Sequence, residues 1–170
     1  MTGKVILMCG KVCVGKTTLA AELADYVLSS DELMISLFGI DAGDGVIGKY
    51  VNKVKYYLYE KAADMAKKLD ITVALDMGLW TAKGRDAARK FFTERGIPYE
   101  IHYIHVNDDM EWYRRINKRD YDVNSNKVKA YYVTGSLRSK SDDWFQIPSE
   151  NETDVIWYNI TDTVKETVTA

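Results

Sequence analysis

The sequence predicts an α/β fold, an open parallel sheet of about five strands with helices on both faces. Three observations carry that expectation. Runs such as KVILM at 4–8 and ITVAL at 71–75 are apolar without polar alternation, the pattern of strands covered on both sides. Between such runs, apolar residues recur at steps of three and four, the spacing of helices with one buried face. The two patterns alternate along the chain, which calls for parallel strands joined by right-handed crossovers.

The elements follow in order. After the first strand, Leu19, Ala20, Leu23 and Ala24 set a helix beginning near Lys16. YVLSS at 26–30 is a second strand, and Asp31-Glu32-Leu33 turns the chain into new structure. The segment 39–48, GIDAGDGVIG, carries four of the eleven glycines and is expected to be a mobile loop. Val51, Val54, Leu58, Ala62, Met65 and Leu69 then describe one face of a helix over about 49–69. The third strand, 71–75, ends at Asp76. Thr81 is placed to cap a helix carrying Ala88, Phe91 and Phe92 that closes at Gly96, with Pro98 beyond. YEIHYIHV at 99–106 is a fourth strand, and its His102 and His105 face opposite sides as structural residues. Asp108, Asp109 and Glu111 favour a helix start, and Arg114, Arg115, Lys118 and Arg119 should fall in that helix's later turns, where the dipole favours cations. A helix is expected around 128–133, and VIWYNI at 155–160 is expected to be the last strand.

Length and composition bound what such a chain can be. A chain of 170 residues suits a single domain, 1–170, with no internal repeat and no low-complexity linker. Hydrophobic residues at 46% and charged ones at 28% exclude a disordered chain, and no apolar stretch approaches the roughly 20 residues of a membrane span. The N-terminal apolar run is too short for a secretory signal. Two cysteines, Cys9 and Cys13, share one loop without a metal-spaced partner, so a reducing cytoplasm is expected and both are read as packing residues. A formal charge of -2 and a pI near 5.7 argue against wholesale nucleic-acid binding.

The stretch CGKVCVGKTTL at 9–19 has more glycine than a tight turn needs. Gly10, Gly15, Lys16 and Thr17 satisfy G-x-x-x-x-G-K-[ST], between a buried strand and an amphipathic helix. In that context the backbone amides of Gly10, Lys11, Val12, Cys13, Val14, Gly15, Lys16, Thr17 and Thr18 can surround the β-phosphate of a nucleoside triphosphate. The Lys16 ammonium bridges toward the transferred phosphate, and the Thr17 hydroxyl serves magnesium. Phosphoryl transfer to a hydroxyl also needs one carboxylate to receive the hydroxyl proton and one to hold or orient hydrated magnesium. Asp31 and Asp76, at the carboxyl ends of the second and third strands, are the candidates. Asp31 alternatively caps the helix that begins there, and Asp76 is alternatively a turn residue. Arg115 and Arg119, four apart, share a helical face that either reaches phosphate or is merely solvated. Arg85 and Arg89 repeat that spacing as candidate acceptor contacts.

The stretches MCGKVCVGKTTLA, VLSSDELMISLFG, VALDMGLWT with Arg85, and IHYIHVNDDMEWYRRINKRD together resemble the small P-loop kinases of the AAA_33 type, relatives of polynucleotide 5'-hydroxyl kinase, chloramphenicol phosphotransferase and zeta-toxin-like proteins. The resemblance covers about residues 4–122. It implies a P-loop NTPase fold of the nucleoside/nucleotide-kinase kind that uses ATP and Mg2+. It also implies that Asp31 activates the acceptor hydroxyl, that Lys16 and Thr17 serve phosphate and magnesium, and that Arg119 and Arg115 are lid arginines. The chain departs from the family after Asp120, where only YDVNSNK stands in place of a longer lid, so a short lid around 115–127 is expected. Phe145, Pro148 and Glu150 match loosely an aromatic-x-x-Pro feature near adenine, with Trp144 either stacking on a base or closing the core. Tyr56, Tyr57 and Tyr59 either shape an acceptor pocket or flank a buried helix.

The leading expectation is transfer of the γ-phosphate of ATP to a hydroxyl of a small molecule. A polynucleotide 5'-hydroxyl kinase is the alternative, because 111–140 holds eight Lys or Arg against three Asp or Glu. An ATP-dependent switch without an acceptor is a third reading, disfavoured because Asp31 and Asp76 are both present. Specificity should lie in 39–60 and 125–150. Oligomeric state is not legible.

Overall fold

The computed structural model describes residues 3–161 and 164–168, with side chains through 160. Strand β1 (Lys4–Cys9) leads into α1 (Lys16–Leu23), β2 (Tyr26–Ser29), α2 (Ser30–Phe38), α3 (Gly43–Leu69) and β3 (Thr72–Asp76). Helix α4 (Ala82–Glu94), β4 (Tyr99–His105), α5 (Asp109–Asn124) and α6 (Gly135–Trp144) follow, then β5 (Val155–Thr161) and β6 (Val164–Val168). The sheet order is β2-β3-β1-β4-β5-β6. β1 to β5 pair in parallel, as expected, and β6 adds antiparallel to β5. The expected last strand is therefore followed by another, and the sheet has six strands among the described residues.

β1 is central, with all its residues buried except the partly exposed Lys4, because both faces are covered. On one side Val5, Leu7 and Cys9 pack with α3 and α4 through Leu58, Tyr59, Ala62, Phe91 and Phe92. On the other, Ile6 and Met8 pack with Leu19 and Ala20 of α1 and Trp112 and Ile116 of α5. Truncating fully buried Leu7 to Ala costs about 2–5 kcal/mol, a large part of a domain's stability. The histidines of β4 do lie on opposite faces: His102 stacks on Tyr158 and His105 on Tyr103.

Three local expectations are corrected. The 39–48 segment is not a loop throughout, because α3 begins at Gly43. Ile47, Tyr50, Val54 and Leu58 continue the apolar step of three and four into the core, which outweighs a glycine penalty of about 1 kcal/mol each. The 128–133 segment is not a helix, and residues 129–134 have no regular structure. There the Val133 N–H donates to Asp120 Oδ1 at 2.9 Å, taking the amide away from any helical carbonyl. The cations of α5 lie in its middle, since the helix runs on to Asn124 and has no basic residue in its last turn. Their charge is met by side chains instead: Arg114 and Arg115 pair with Glu111, and Lys118 with Asp122. Of the three tyrosines on α3, Tyr59 is buried against Phe91 and Phe92, while Tyr56 and Tyr57 are exposed.

Candidate active site

The parallel sheet delivers β1, β2 and β3 to one edge, and the loop after β1 lies there. Gly10 is required by a close approach: a Cβ at this position would sit 2.6 Å from the Ile104 carbonyl oxygen. Its N–H donates to Gly78 O at 3.0 Å, tying the loop to the turn after β3. Cys13 and Gly15 both take positive φ, 58° and 103°, so the loop curls back on itself and can gather its amides around an anion. Helices α2, α4, α5 and α6 are capped by Ser29, Thr81, Asp108 and Thr134. Helix α1 begins at Gly15 with no side-chain cap, leaving its first amides and positive dipole end directed at the loop.

The rest of the loop is braced from outside. Trp112 Nε1 donates to Val12 O at 2.7 Å, and the fully buried Ser141 hydroxyl accepts from the Val12 N–H at 3.4 Å. Lys11 pairs with Asp142 of α6 and lies over the Trp112 ring. Helices α5 and α6 thus hold the loop in shape. The Cys9 thiol donates to Leu79 O, and burial pushes it up to about 11, so it is the inert packing residue expected.

Five charged groups converge on this loop. Lys16 Nζ donates to the Lys11 carbonyl at 2.5 Å, and burial lowers its basicity while Asp76 and Asp31 work against that. Thr17 Oγ1 donates to Asp76 Oδ2 at 2.5 Å. Asp31 is exposed, and desolvation by its surroundings is the largest influence on its carboxyl and raises it. Arg119 lowers it, Asp76 raises it and Lys16 lowers it, in that order. Because Ser29 supplies the cap of α2, accepting from the Glu32 N–H at 3.3 Å, Asp31 is not spent on capping. Arg119 reaches the loop at Cys13, with Nη1 3.7 Å from Sγ, and its Nε is buried without a hydrogen-bond partner. Arg115 pairs through Nε with Glu111 Oε1 at 2.6 Å, while a Cβ on Gly15 would lie 3.6 Å from its Nη1.

Arg85 is elsewhere. It has no exposed surface, and its guanidinium donates to both carboxylate oxygens of Glu152 and to the carbonyls of Leu79 and Gln146. That set of bonds occupies the group from all sides, so the candidate acceptor contact is corrected to a structural anchor. Arg89 joins it by pairing with Glu152, Asp154 and Asp86. Phe145 stacks on Tyr103, and Trp144 is exposed.

Sequence reasoning missed three contributors. Gly78, at φ 85°, carries the carbonyl that fixes Gly10; its signal was the glycine in DMGLW. Ser141 sits on α6, which lies beyond the helix expected around 128–133. Tyr131, in the irregular 129–134 segment, has a buried hydroxyl without a hydrogen-bond partner among the described residues, and burial raises it, with a lesser push from the charge of Asp31. Nearby, a groove of about 430 Å³ is lined by Ile35, Gly39 and Ile40 on one side and Val123, Asn126, Val128, Lys129 and Tyr132 on the other. Ile35 lies one turn beyond Asp31 on α2, so the groove begins close to the carboxylate. Gly39 and Ile40 belong to one of the segments in which specificity was expected, 39–60, and Asn126, Val128, Lys129 and Tyr132 to the other, 125–150, while Ile35 and Val123 lie outside both.

Among the described residues no cluster of three or more His, Cys, Asp or Glu could by itself hold a metal, and no helix is long and apolar enough to cross a membrane. No curated protein matches the sequence. Solved structures do: the APS kinase CysC of Mycobacterium tuberculosis, in complex with AMPPNP and APS, superposes with a TM-score of 0.61 at 20% identity, covering 96% of this chain and 90% of that one. A gluconokinase from Sinorhizobium meliloti gives 0.62 at 13% identity, over 95% and 85%. Kti12 from Chaetomium thermophilum, in complex with ADP-AlF3, gives 0.68 at 15% identity, over 94% and 89%. These likenesses establish the shared P-loop kinase-like fold. The AAA_33 family, described as an AAA domain, matches residues 5–132, and the chain belongs to it.

Proposed function

We propose that this protein is an ATP-dependent phosphotransferase that moves the γ-phosphate of ATP to a hydroxyl of a small molecule. The convergence of Lys16, Arg119, Asp31 and the Thr17–Asp76 pair around an uncapped helix start carries the reading. Lys16 and the loop amides hold the phosphates and stabilise charge on them as it shifts toward the leaving ADP. The acceptor oxygen attacks the γ-phosphorus, the bond from that phosphorus to the bridging oxygen of ADP breaks, and the acceptor proton passes to Asp31. Arg119 offers an unpartnered Nε and a guanidinium beside the loop, where charge on the transferred phosphoryl needs it. Arg115, one turn earlier, supports the same face.

The Thr17 hydroxyl and Asp76 carboxylate are hard oxygen donors 2.5 Å apart, a fit for magnesium, which usually takes one or two protein oxygens beside phosphate and water. When bound there it neutralises charge on the β- and γ-phosphates. The absence of a self-sufficient metal cluster among the described residues agrees with such a shared site. We assign the chain to one kinase-like domain, with the lid arginines in the 115–127 segment and cover continuing through α6. The free thiols Cys9 and Cys13 support a cytoplasmic location.

A small acceptor is preferred to a polynucleotide because half of the basic stretch is neutralised within the fold: Arg114, Arg115, Lys118 and Lys140, four of its eight cations, sit in ion pairs. The APS kinase and gluconokinase, as named, act on small molecules and support the same choice. A screen of hydroxyl compounds and 5'-hydroxyl oligonucleotides with radiolabelled ATP and magnesium, at about 0.15 M salt, tests the reading. Transfer to small alcohols is the expected result. Efficient oligonucleotide labelling, abolished by neutralising Lys127, Lys129 and Arg138 together, would replace it with the polynucleotide reading, and ATP turnover without any acceptor would favour a switch.

A further inference from the structure

The charged groups around the phosphate loop account for one end of the reaction and leave the groove beside them without a role. Helix register ties the two together. On α2, Asp31, Ile35 and Gly39 stand four apart on one side, and Ile35 and Gly39 line the groove. On α5, Arg119 and Val123 are likewise four apart, and Val123 belongs to the opposite wall. The groove therefore starts where Asp31 and Arg119 stand and follows α2 for two turns, roughly 11 Å. Its far end has room, since a Cβ at Gly39 would meet nothing within 4 Å.

A volume of about 430 Å³ suits a small molecule, and the lining says which kind. Ile35, Ile40, Val123 and Val128 make the walls apolar, and Lys129 is the one charged residue among those that line the groove. No ion pair among the described residues holds its ammonium. Carbonyls at the ends of both helices are met by the chain itself: that of Ile35 accepts from the Gly39 N–H, and those of Tyr121, Asp122 and Val123 accept from the amides of 125–128. The ammonium is thus left for a ligand. At the other end the Asp31 carboxylate repels an anion but receives a hydroxyl, so the two ends of the groove favour opposite ends of one molecule.

We propose that the acceptor lies in this groove and is an anionic alcohol with an apolar body, its hydroxyl at Asp31, its hydrocarbon between α2 and α5, and its anionic group at Lys129. This rests on the phosphotransferase reading above. The bond changes are those given there: the hydroxyl oxygen bonds to the γ-phosphorus, ADP leaves, and the proton passes to Asp31. Lys129 is a specificity-determining residue, and because it is exposed its ion pair is worth a modest preference, about fivefold.

The experiment offers ω-hydroxycaproate against its amide, and para-(hydroxymethyl)benzoate against its amide, with radiolabelled ATP and magnesium, scoring labelled product apart from free phosphate. Each acid and its amide differ in charge at nearly equal size. The parent is expected to favour the acid of at least one pair by about fivefold or more, through a lower KM. Lys129→Ala should bring that ratio to within about twofold of one, Lys129→Glu should turn it toward the amide, and Lys129→Arg should keep it, with KM for ATP within about twofold of the parent's throughout. Val128→Trp, at an exposed position, fills the groove and should raise KM for acid and amide alike by about tenfold. An acid preference that survives Lys129→Glu, acceptor KM values untouched by Val128→Trp, or a parent that hydrolyses ATP but uses the amides as well as the acids, or neither, would overturn the proposal. A parent that never turns ATP over overturns the phosphotransferase reading instead.

Discussion

Two arginine pairs with the same spacing sit at opposite ends of this molecule's chemistry. Arg85 and Arg89 on α4 and Arg115 and Arg119 on α5 are each four apart, and each pair is partly or wholly removed from solvent. The first pair is closed: Glu152, Asp154 and Asp86 and two backbone carbonyls receive its N–H groups, and Glu152 is held down to about 2 chiefly by its bonds with Arg85. The second pair is open. Arg115 has Glu111, but Arg119 has one long contact to a thiol and a buried Nε with no partner. Identical spacing thus serves an anchor in one place and a phosphate site in the other, and what separates them is how completely the protein itself satisfies the donors. Satisfied buried charges hold structure; unsatisfied ones await a ligand.

Predictions that break or sharpen this contrast run from large to small. Replacing Lys16 with Ala removes the ammonium from the loop, and ATP turnover is expected to fall by about 10³-fold while the far-ultraviolet spectrum is kept. Parental turnover by a folded Lys16→Ala would move the phosphate chemistry elsewhere. Within the open pair, Arg119→Ala should lower kcat for every acceptor by about 10²-fold, and Arg115→Ala by less, because Glu111 already occupies its Nε. Equal losses, or a change in which acceptor is preferred, would contradict the assignment.

The closed pair should answer in stability instead. Glu152→Gln leaves Arg85 buried with half its compensation, at an expected cost of about 2–4 kcal/mol in chemical denaturation, with turnover per folded molecule retained. A loss of turnover without a loss of stability would mean that Arg85 touches an acceptor after all. The smallest effect is a pH dependence. Glu152 is held below its ordinary value of 4.5, at about 2, so its contribution is complete above the ordinary carboxyl range and is lost as pH falls from about 4.5 toward 2. Glu152→Gln should flatten the parent's melting curve against pH in that window, and an unchanged slope would show that the ion pair does not couple to folding.

How legible each part was in the sequence follows from the range of the forces involved. The strands, α1, α4 and the phosphate loop depend on local pattern: a glycine-lysine-threonine cluster between a buried strand and a helix, and a threonine that caps its own helix, speak through neighbouring residues. The role of Arg85 did not, because Glu152 lies far along the chain and its bidentate pairing is visible only once the pairing of β4 with β5 brings the segment before β5 beside α4. The start of α3 was hidden by glycines whose penalty the core overrode. Tyr131 was hidden more deeply. It belongs to no periodic element, and a buried hydroxyl without a partner among the described residues is a feature that a sequence cannot display.

The central claim is that Asp31 receives the acceptor proton, and the measurement that tests it most directly is Asp31→Asn, assayed for both magnesium-ATP affinity and phosphoryl transfer to the best alcohol from the screen. Burial raises the Asp31 carboxyl, so the charged form is disfavoured in the fold and the amide should melt no lower than the parent. For the same reason the parent's transfer rate should fall with acid at a pH above the ordinary aspartate value of 3.8. The account predicts affinity within a few-fold of the parent and transfer lower by about 10²-fold or more. Parallel loss of nucleotide affinity and transfer would contradict it, placing Asp31 on the metal and leaving Asp76 as the base.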